Sequence, residues 1–403
     1  MRPRCLLPLV LALRLVAQDK FATIPAVQKT FVDRGEISGA VALLADNDRV
    51  LHLSAVGVSD LTTGRTLRTD DIFWIASMTK PIAAVALGLL VDDARLTFDD
   101  PVEKFLPEFR GQWVTQESTA DRRSLVKATR PITLRDVLTH TSGLAEYPAT
   151  QAHWTISEFA KVLAREPLRF QPGTRWAYST AGIDMLGRVV EVVSGESFAA
   201  FLQKRLFDPL GLKDTTFWLS PEQEKRFAHN YRPDGQTGKL AETPIAYLYG
   251  GTTSDRARPA LGGAGLFSTA ADLARFYQMM LNGGVANGRR ILSADTVAEM
   301  TRKQTADLRA RPGMPWGLGF CVVEDPAQLE ANGYFSPGTF GPGGAHGTQS
   351  WADPVRGLVY VYLIQRAGIR GNPDNSDMRR AYQDALGAAL NISPVTKKPA
   401  TAP

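Results

Sequence analysis

The run Ser77-Met78-Thr79-Lys80-Pro81, followed by Ile82-Ala83-Ala84-Val85-Ala86-Leu87, constrains this chain more than any other stretch. Pro81 lacks an N–H and is accepted in a helix only in the first turn, where the backbone donors have no acceptor within the helix. The helix is therefore expected to begin near Ser77, with helical spacing running on from Pro81 to Asp92. Upstream, Asp71-Ile72-Phe73-Trp74-Ile75-Ala76 is an apolar approach that brings the serine to the helix mouth from inside the core. Residues at i and i+3 share a helix face, so Ser77 and Lys80 can meet there, and the helix N-terminus favours developing negative charge. That combination can make a serine nucleophilic without a histidine.

The S-x-x-K spacing alone does not separate a nucleophile from a serine N-cap followed by a solvated lysine. A second match, Ser124-Leu125-Val126-Lys127, lies in a polar insertion, Gln112 to Arg130, with no apolar helical run behind it, and reads as a surface loop. Context has to decide between the two matches.

At 403 residues the chain can form one large domain or two, and 44% hydrophobic residues suffices for a packed core. The net charge of +5 is small for this length, and no long Lys/Arg run or basic-aromatic pattern occurs, so nucleic acid is not expected as a partner. At the N-terminus Arg2 and Arg4 lead into Cys5-Leu6-Leu7-Pro8-Leu9-Val10-Leu11-Ala12-Leu13, and Leu15-Val16-Ala17 offers a cleavage site. Residues 1–17 therefore read as an export signal, too short to span a bilayer, with a periplasmic or extracellular destination and no stable membrane span after removal. Cleavage would leave Cys321 alone, so no intramolecular disulfide is expected.

Strand-like runs lie at Ser38 to Ala45 and Arg49 to Val56, around the turn composition Asp46-Asn47-Asp48, and again at Gly317 to Val323, Thr348 to Ala352 and Leu358 to Gln365. Helical spacing marks Leu134 to Thr139, Ile156 to Arg165, Ile183 to Ser194, Phe198 to Leu206, Ala270 to Leu281 and a closing helix, Ser376 to Leu390. The economical assembly is an α/β (α+β) fold: one antiparallel sheet drawn from both chain ends, flanked by the terminal helices, with a mostly helical subdomain inserted. One domain over 18–391 is expected, its α/β part about 18–76 and 255–391 and its helical part about 77–254, with 392–403 a disordered tail.

Three further segments follow Ser77 in a telling order: Ile132-Thr133-Leu134-Arg135-Asp136-Val137-Leu138-Thr139-His140-Thr141-Ser142-Gly143-Leu144, then Trp176-Ala177-Tyr178-Ser179-Thr180-Ala181-Gly182, then Gly265-Leu266-Phe267-Ser268-Thr269-Ala270-Ala271-Asp272-Leu273. With Ser77 to Lys80 they make the chain resemble, from about Gly35 to Gln365, the serine hydrolases related to class C β-lactamases. That group includes penicillin-binding proteins, D-amino-acid peptidases and family VIII carboxylesterases, and the resemblance implies the β-lactamase/transpeptidase-like fold.

By this resemblance Ser77 is the acylated nucleophile, Lys80 the S-x-x-K lysine and Tyr178 the tyrosine of the Y-x-N motif. The physical reading agrees, because a desolvated lysine beside a tyrosine can take the serine proton and return it to the leaving group. Which of the two is the base is left open. The resemblance also places the oxyanion hole at the N–H groups of Ser77 and Ala345, with Thr180, Gly343, Gly344 and His346 as substrate-binding candidates. Thr180 stands where the family usually has asparagine. Pro342, in Pro342-Gly343-Gly344, stands where lysine, histidine or tryptophan is usual and carries no charge to hold a substrate carboxylate. Both departures favour esters over β-lactams and D-peptides.

His346 reads as a polar residue on a glycine-rich loop, with an acid/base role as the alternative, and His140 as a structural histidine at a helix end. Trp74, Trp154, Trp176, Tyr231, Tyr249, Trp316 and Trp351 could line an acyl pocket or simply fill the core. No G-x-S-x-G, H-E-x-x-H, cysteine cluster or phosphate-binding loop is present, and neither metal nor organic cofactor is implied. The leading expectation is an exported carboxylesterase on small ester or amide substrates. A β-lactamase or D-amino-acid peptidase is the alternative within enzymes, and a silent cell-wall or acyl-ligand binder the alternative outside them. Oligomeric state is left open.

Overall fold

The computed structural model describes residues 20–119, 121–147, 153–305, 307–308, 311–329, 333–369 and 376–395. The export-signal segment 1–17 lies outside them, as do residues 396–403 of the expected tail.

A seven-stranded antiparallel sheet forms the frame. Its spatial order is Cys321–Val322, Phe340–Gly341, Gln349–Asp353, Leu358–Leu363, β1 (Gly39–Asp46), β2 (Val50–Asp60) and β3 (Arg65–Thr66). The chain ends meet at its centre, where β1 pairs with the strand Leu358–Leu363 in the register Val41↔Leu363, Leu43↔Val361 and Ala45↔Val359.

Alternation along β1 builds two cores. Val41, Leu43 and Ala45 join one hydrophobic cluster, and Ala40, Ala42 and Leu44 another on the opposite face. The second face is covered by α1 (Thr23–Asp33) and the C-terminal helix Asp377–Leu390. The first is covered by the helix Ala270–Leu281. Because both faces are buried, β1 reads as a continuous apolar run rather than an alternating one.

Helix α2 (Thr79–Asp92) is buried on every side from Thr79 to Leu90. A helix apolar all round belongs in a core, and α2 packs there against α5 (Thr180–Ser194). Between them in sequence lie α3 (Leu134–Leu138) and α4 (Ile156–Arg165), each started by a threonine capping box, Thr133 with Asp136 and Thr155 with Glu158.

Three local expectations change. The polar insertion is not a loop: Trp113–Ser118 and Arg123–Lys127 pair as an antiparallel hairpin. Its strand geometry turns Ser124 and Lys127 to opposite faces, and Lys127 Nζ donates to the Gly111 carbonyl (3.0 Å) over the Trp113 ring. The run Gly317 to Val323 contributes only the two-residue strand Cys321–Val322, since Gly319 takes a left-handed φ of 82°. The helix expected over Phe198 to Leu206 is α-helical to Leu202 and then widens to a π-turn over Gln203–Phe207.

Candidate active site

A short strand, β4 (Phe73–Trp74), carries the chain to the serine. It pairs with Phe267–Ser268, and Ile75 N–H donates to Leu266 O at 3.1 Å. Ala76 then takes a left-handed φ of 48°, which costs a non-glycine residue about 1 kcal/mol. The turn Ala76–Met78 is a single 3₁₀ turn that leads into α2, so Ser77 precedes the α-helix rather than capping it. Thr79 locks the bend: its hydroxyl donates to Ala76 O (2.7 Å) and accepts from Leu266 N–H (3.2 Å).

Lys80 is in the first turn of α2 and only 1% exposed. Its Nζ donates to Ser77 Oγ (3.2 Å) and to the Gly263 carbonyl (2.7 Å). It also lies 4.6 Å from the centroid of the Tyr178 ring. The three residues chosen from the sequence therefore come together, although Tyr178 is about a hundred residues from Ser77. Burial pushes the Lys80 ammonium below its ordinary value, and the charges of Asp184 and Glu146 only partly offset this.

Tyr178 is held from behind. His140 is buried and packs against it with ring centroids 4.4 Å apart and the planes tilted by 36°, while Trp176 and Trp316 complete the aromatic group. His140 Nδ1 accepts the Ser179 N–H (3.2 Å) and its carbonyl accepts the Ala177 N–H (2.9 Å). It is structural and serves two helix ends: its backbone N–H donates to Val137 O (3.1 Å) at the end of α3, and its ring accepts from Ser179, the N-cap of α5, which fixes the segment that carries Tyr178. Burial holds its ring well below the usual histidine range, so it stays neutral.

The glycine loop closes on the other side. A Cβ on Gly344 would fall 2.6 Å from Ile75 O and 2.2 Å from Thr348 Oγ1, so only glycine allows this approach. Gly344 N–H donates to Thr348 O (2.7 Å), and Gly343 bridges to Gln349. Ala345 is exposed at the rim, in a 3₁₀ turn with His346 and Gly347.

His346 points away from proton transfer. Its Nδ1 meets Asn230 Oδ1 at 2.6 Å, its ring meets the Trp74 ring edge-on at 4.9 Å, and burial pushes its pKa down to about 4. The ring is thus neutral at and above neutral pH. We expect His346→Gln to leave the acid limb of a kcat/KM profile in place; a displaced limb would give the imidazole a titrating role.

Thr180 is half-buried at the start of α5, and its N–H donates to Glu146 Oε1 (2.7 Å). Ala181 N–H donates to Glu146 Oε2 (3.1 Å). An exposed carboxylate thus caps α5 beside the lysine, a favourable place for an anion. Sequence reasoning missed Glu146, and it also missed Asp184 and Gly263. Asp184 was visible as a charge inside the apolar stretch Ile183 to Leu186, and Gly263 as part of the run Gly262-Gly263-Ala264-Gly265. Among the described residues no cluster of histidine, cysteine and carboxylates is arranged to hold a metal.

A serine beside a buried lysine, at the mouth of a central helix and under an antiparallel sheet, defines a serine hydrolase of the β-lactamase and penicillin-binding-protein-like group. Residues 25–386 match the Beta-lactamase family model, and the chain belongs to that family. It is 32% identical over 390 residues to Esterase EstB of Burkholderia gladioli, covering 88% of this chain and 93% of that protein. It is 27% identical over 362 residues to a Salmonella typhimurium protein provisionally named D-alanyl-D-alanine carboxypeptidase, covering 83% of this chain and 80% of that one. Among solved structures, EstCE1, described as a hydrolase with promiscuous acyltransferase activity, superposes with a TM-score of 0.75 at 24% identity, over 92% of this chain and 98% of that one.

Proposed function

We propose that this hydrolase is an exported carboxylesterase that acts on small esters through an acyl-enzyme on Ser77. The observation that carries the reading is the 3.2 Å contact between Ser77 Oγ and a lysine amine buried deeply enough to lose its proton readily. Ser77 Oγ attacks the ester carbonyl carbon as its proton passes to the Lys80 and Tyr178 pair. The N–H groups of Ser77 and Ala345 face the developing oxyanion, and the returned proton leaves with the alcohol as the C–O bond breaks. Water then repeats the sequence on the acyl-enzyme.

Two features support esters over β-lactams and D-peptides. Those substrates present a carboxylate, and Pro342 offers it no cation. Glu146 adds an anion at the position of Thr180, where a like charge would repel it. Similarity to Esterase EstB points the same way, whereas the Salmonella relative keeps the peptidase as the alternative. Export rests on Arg2, Arg4 and the apolar run from Cys5 to Leu13.

Short-chain aryl esters are expected to give an initial burst of phenol followed by slower turnover, as an acyl-enzyme requires. Nitrocefin should be turned over at least about tenfold more slowly in kcat/KM, a difference of about 1.4 kcal/mol in transition-state binding. Comparable rates on the two would reverse the assignment.

A further inference from the structure

Asp184 is a buried carboxylate that the proposed reaction does not use. Its side chain is fully enclosed at 0% exposure, and Oδ2 has no hydrogen-bond partner among the described residues. A half-satisfied carboxylate in the core is costly, so its presence calls for a compensating role. Oδ1 accepts the Gly263 N–H (2.6 Å) and the Tyr247 O–H (2.5 Å). The carbonyl of the same glycine accepts from Lys80 Nζ at 2.7 Å. No side chain fits at Gly263, because a Cβ there would stand 2.6 Å from Thr180 Cγ2 and 2.8 Å from both Asp184 Oδ1 and Thr180 O.

We propose that Asp184 is a positioning residue for the acylation step: through Gly263 it holds the carbonyl that aims the Lys80 amine at Ser77. Its charge also favours the protonated form of that amine. The inference rests on the reading of Ser77 and Lys80 as the reactive pair. Asp184 touches neither the serine nor the lysine directly, and it acts through the glycine backbone and the field of its charge.

The groups that face this pair come from several elements. Glu146 follows α3, Tyr178 and His140 flank the amine, and Cys321 lies on the sheet. Tyr147, Tyr247 and Tyr249 surround the carboxylate, and burial pushes all three phenols up, so they stay neutral. Asp184 is the largest of the charges that raise the Lys80 value, ahead of Glu146 and Cys321, and Glu146 is exposed and screened by solvent. Burial pushes the Asp184 carboxyl itself up, against the bonds from Tyr247 and Gly263 that favour its ionised form.

The sign follows. An anion beside Lys80 stabilises its protonated form, so removing that anion lets the amine lose its proton at lower pH. Asp184→Asn keeps an oxygen acceptor for Gly263 and deletes the charge, whereas Asp184→Ala deletes both. The test is the rate at which a neutral fluorophosphonate labels Ser77, followed by mass spectrometry against pH in wild type, both variants and Glu146→Gln. We expect Asp184→Asn to shift the acid limb down by about one pH unit or more, and Glu146→Gln to shift it less. Asp184→Ala should also lower the plateau rate, by about tenfold or more, because the amine loses its aim. An unlabelled wild type would overturn the Ser77 reading and this inference together. A labelled wild type whose limb is unmoved in Asp184→Asn overturns the inference alone. If Asp184→Ala fails to fold, the isosteric asparagine variant still decides.

Discussion

Ser77→Ala is expected to lower aryl-ester turnover by about 10⁴-fold or more while leaving the protein folded. The hydroxyl accepts one bond, from Lys80, and that amine keeps the Gly263 carbonyl as a partner. The structural cost is therefore one modest hydrogen bond, about 1 kcal/mol. The catalytic cost is the nucleophile itself, the hydroxyl to which the Lys80 amine donates. Steady-state turnover and a thermal melt measured on the same preparation separate the two effects. Undiminished turnover would remove Ser77 from the reaction.

Lys80 gives the second large effect, and two substitutions distinguish its roles. Lys80→Met keeps the length and apolar stem but has no amine, and kcat should fall by about 10²- to 10⁴-fold. Lys80→Arg keeps a cation that is never released at working pH, so it should fall as far. Full activity in the arginine variant would mean that the lysine supplies only positive charge. In wild type the folded pKa of Lys80 lies below its ordinary value, so the neutral amine appears as pH rises and kcat/KM should climb through that limb. In Lys80→Met the limb should be missing from whatever rate remains. In the methionine variant Asp184 loses the cation that favours its charge, so it takes up a proton more readily than in wild type and need not stay a buried anion.

Much of this was legible from residue order. Pro81 in the first turn, the apolar run behind it and the apolar approach from Asp71 to Ala76 placed Ser77 at a helix mouth, and the structure puts α2 there. The hairpin around Asp46 to Asp48 and the closing helix after Ser376 were equally clear, since turn residues and caps act within a few positions of themselves. The hairpin Trp113 to Lys127 was missed because only the pair Val114 and Val126 turns toward the core while Trp113 and Leu125 stay exposed, so no apolar alternation marks the strands. Gly317 to Val323 misled for the opposite reason: its residues suit a strand, but Gly319 turns the backbone where a Cβ would stand 2.4 Å from Ala84 Cβ.

The sequence by itself determined the chemistry on offer: a hydroxyl and an amine one helical turn apart, a tyrosine in a recognisable motif, and a third motif without a cation. A helical turn brings i and i+3 together, and Ser77 meets Lys80 across the 3₁₀ turn that leads into α2. Only the tertiary structure decided how the amine is tuned. Burial of Lys80, the carbonyl of Gly263 behind it, Asp184 beyond that glycine and Glu146 on the cap of α5 are contacts between segments up to 183 residues apart. Desolvation and field strength depend on what surrounds a group in space, and no local pattern of residues encodes them.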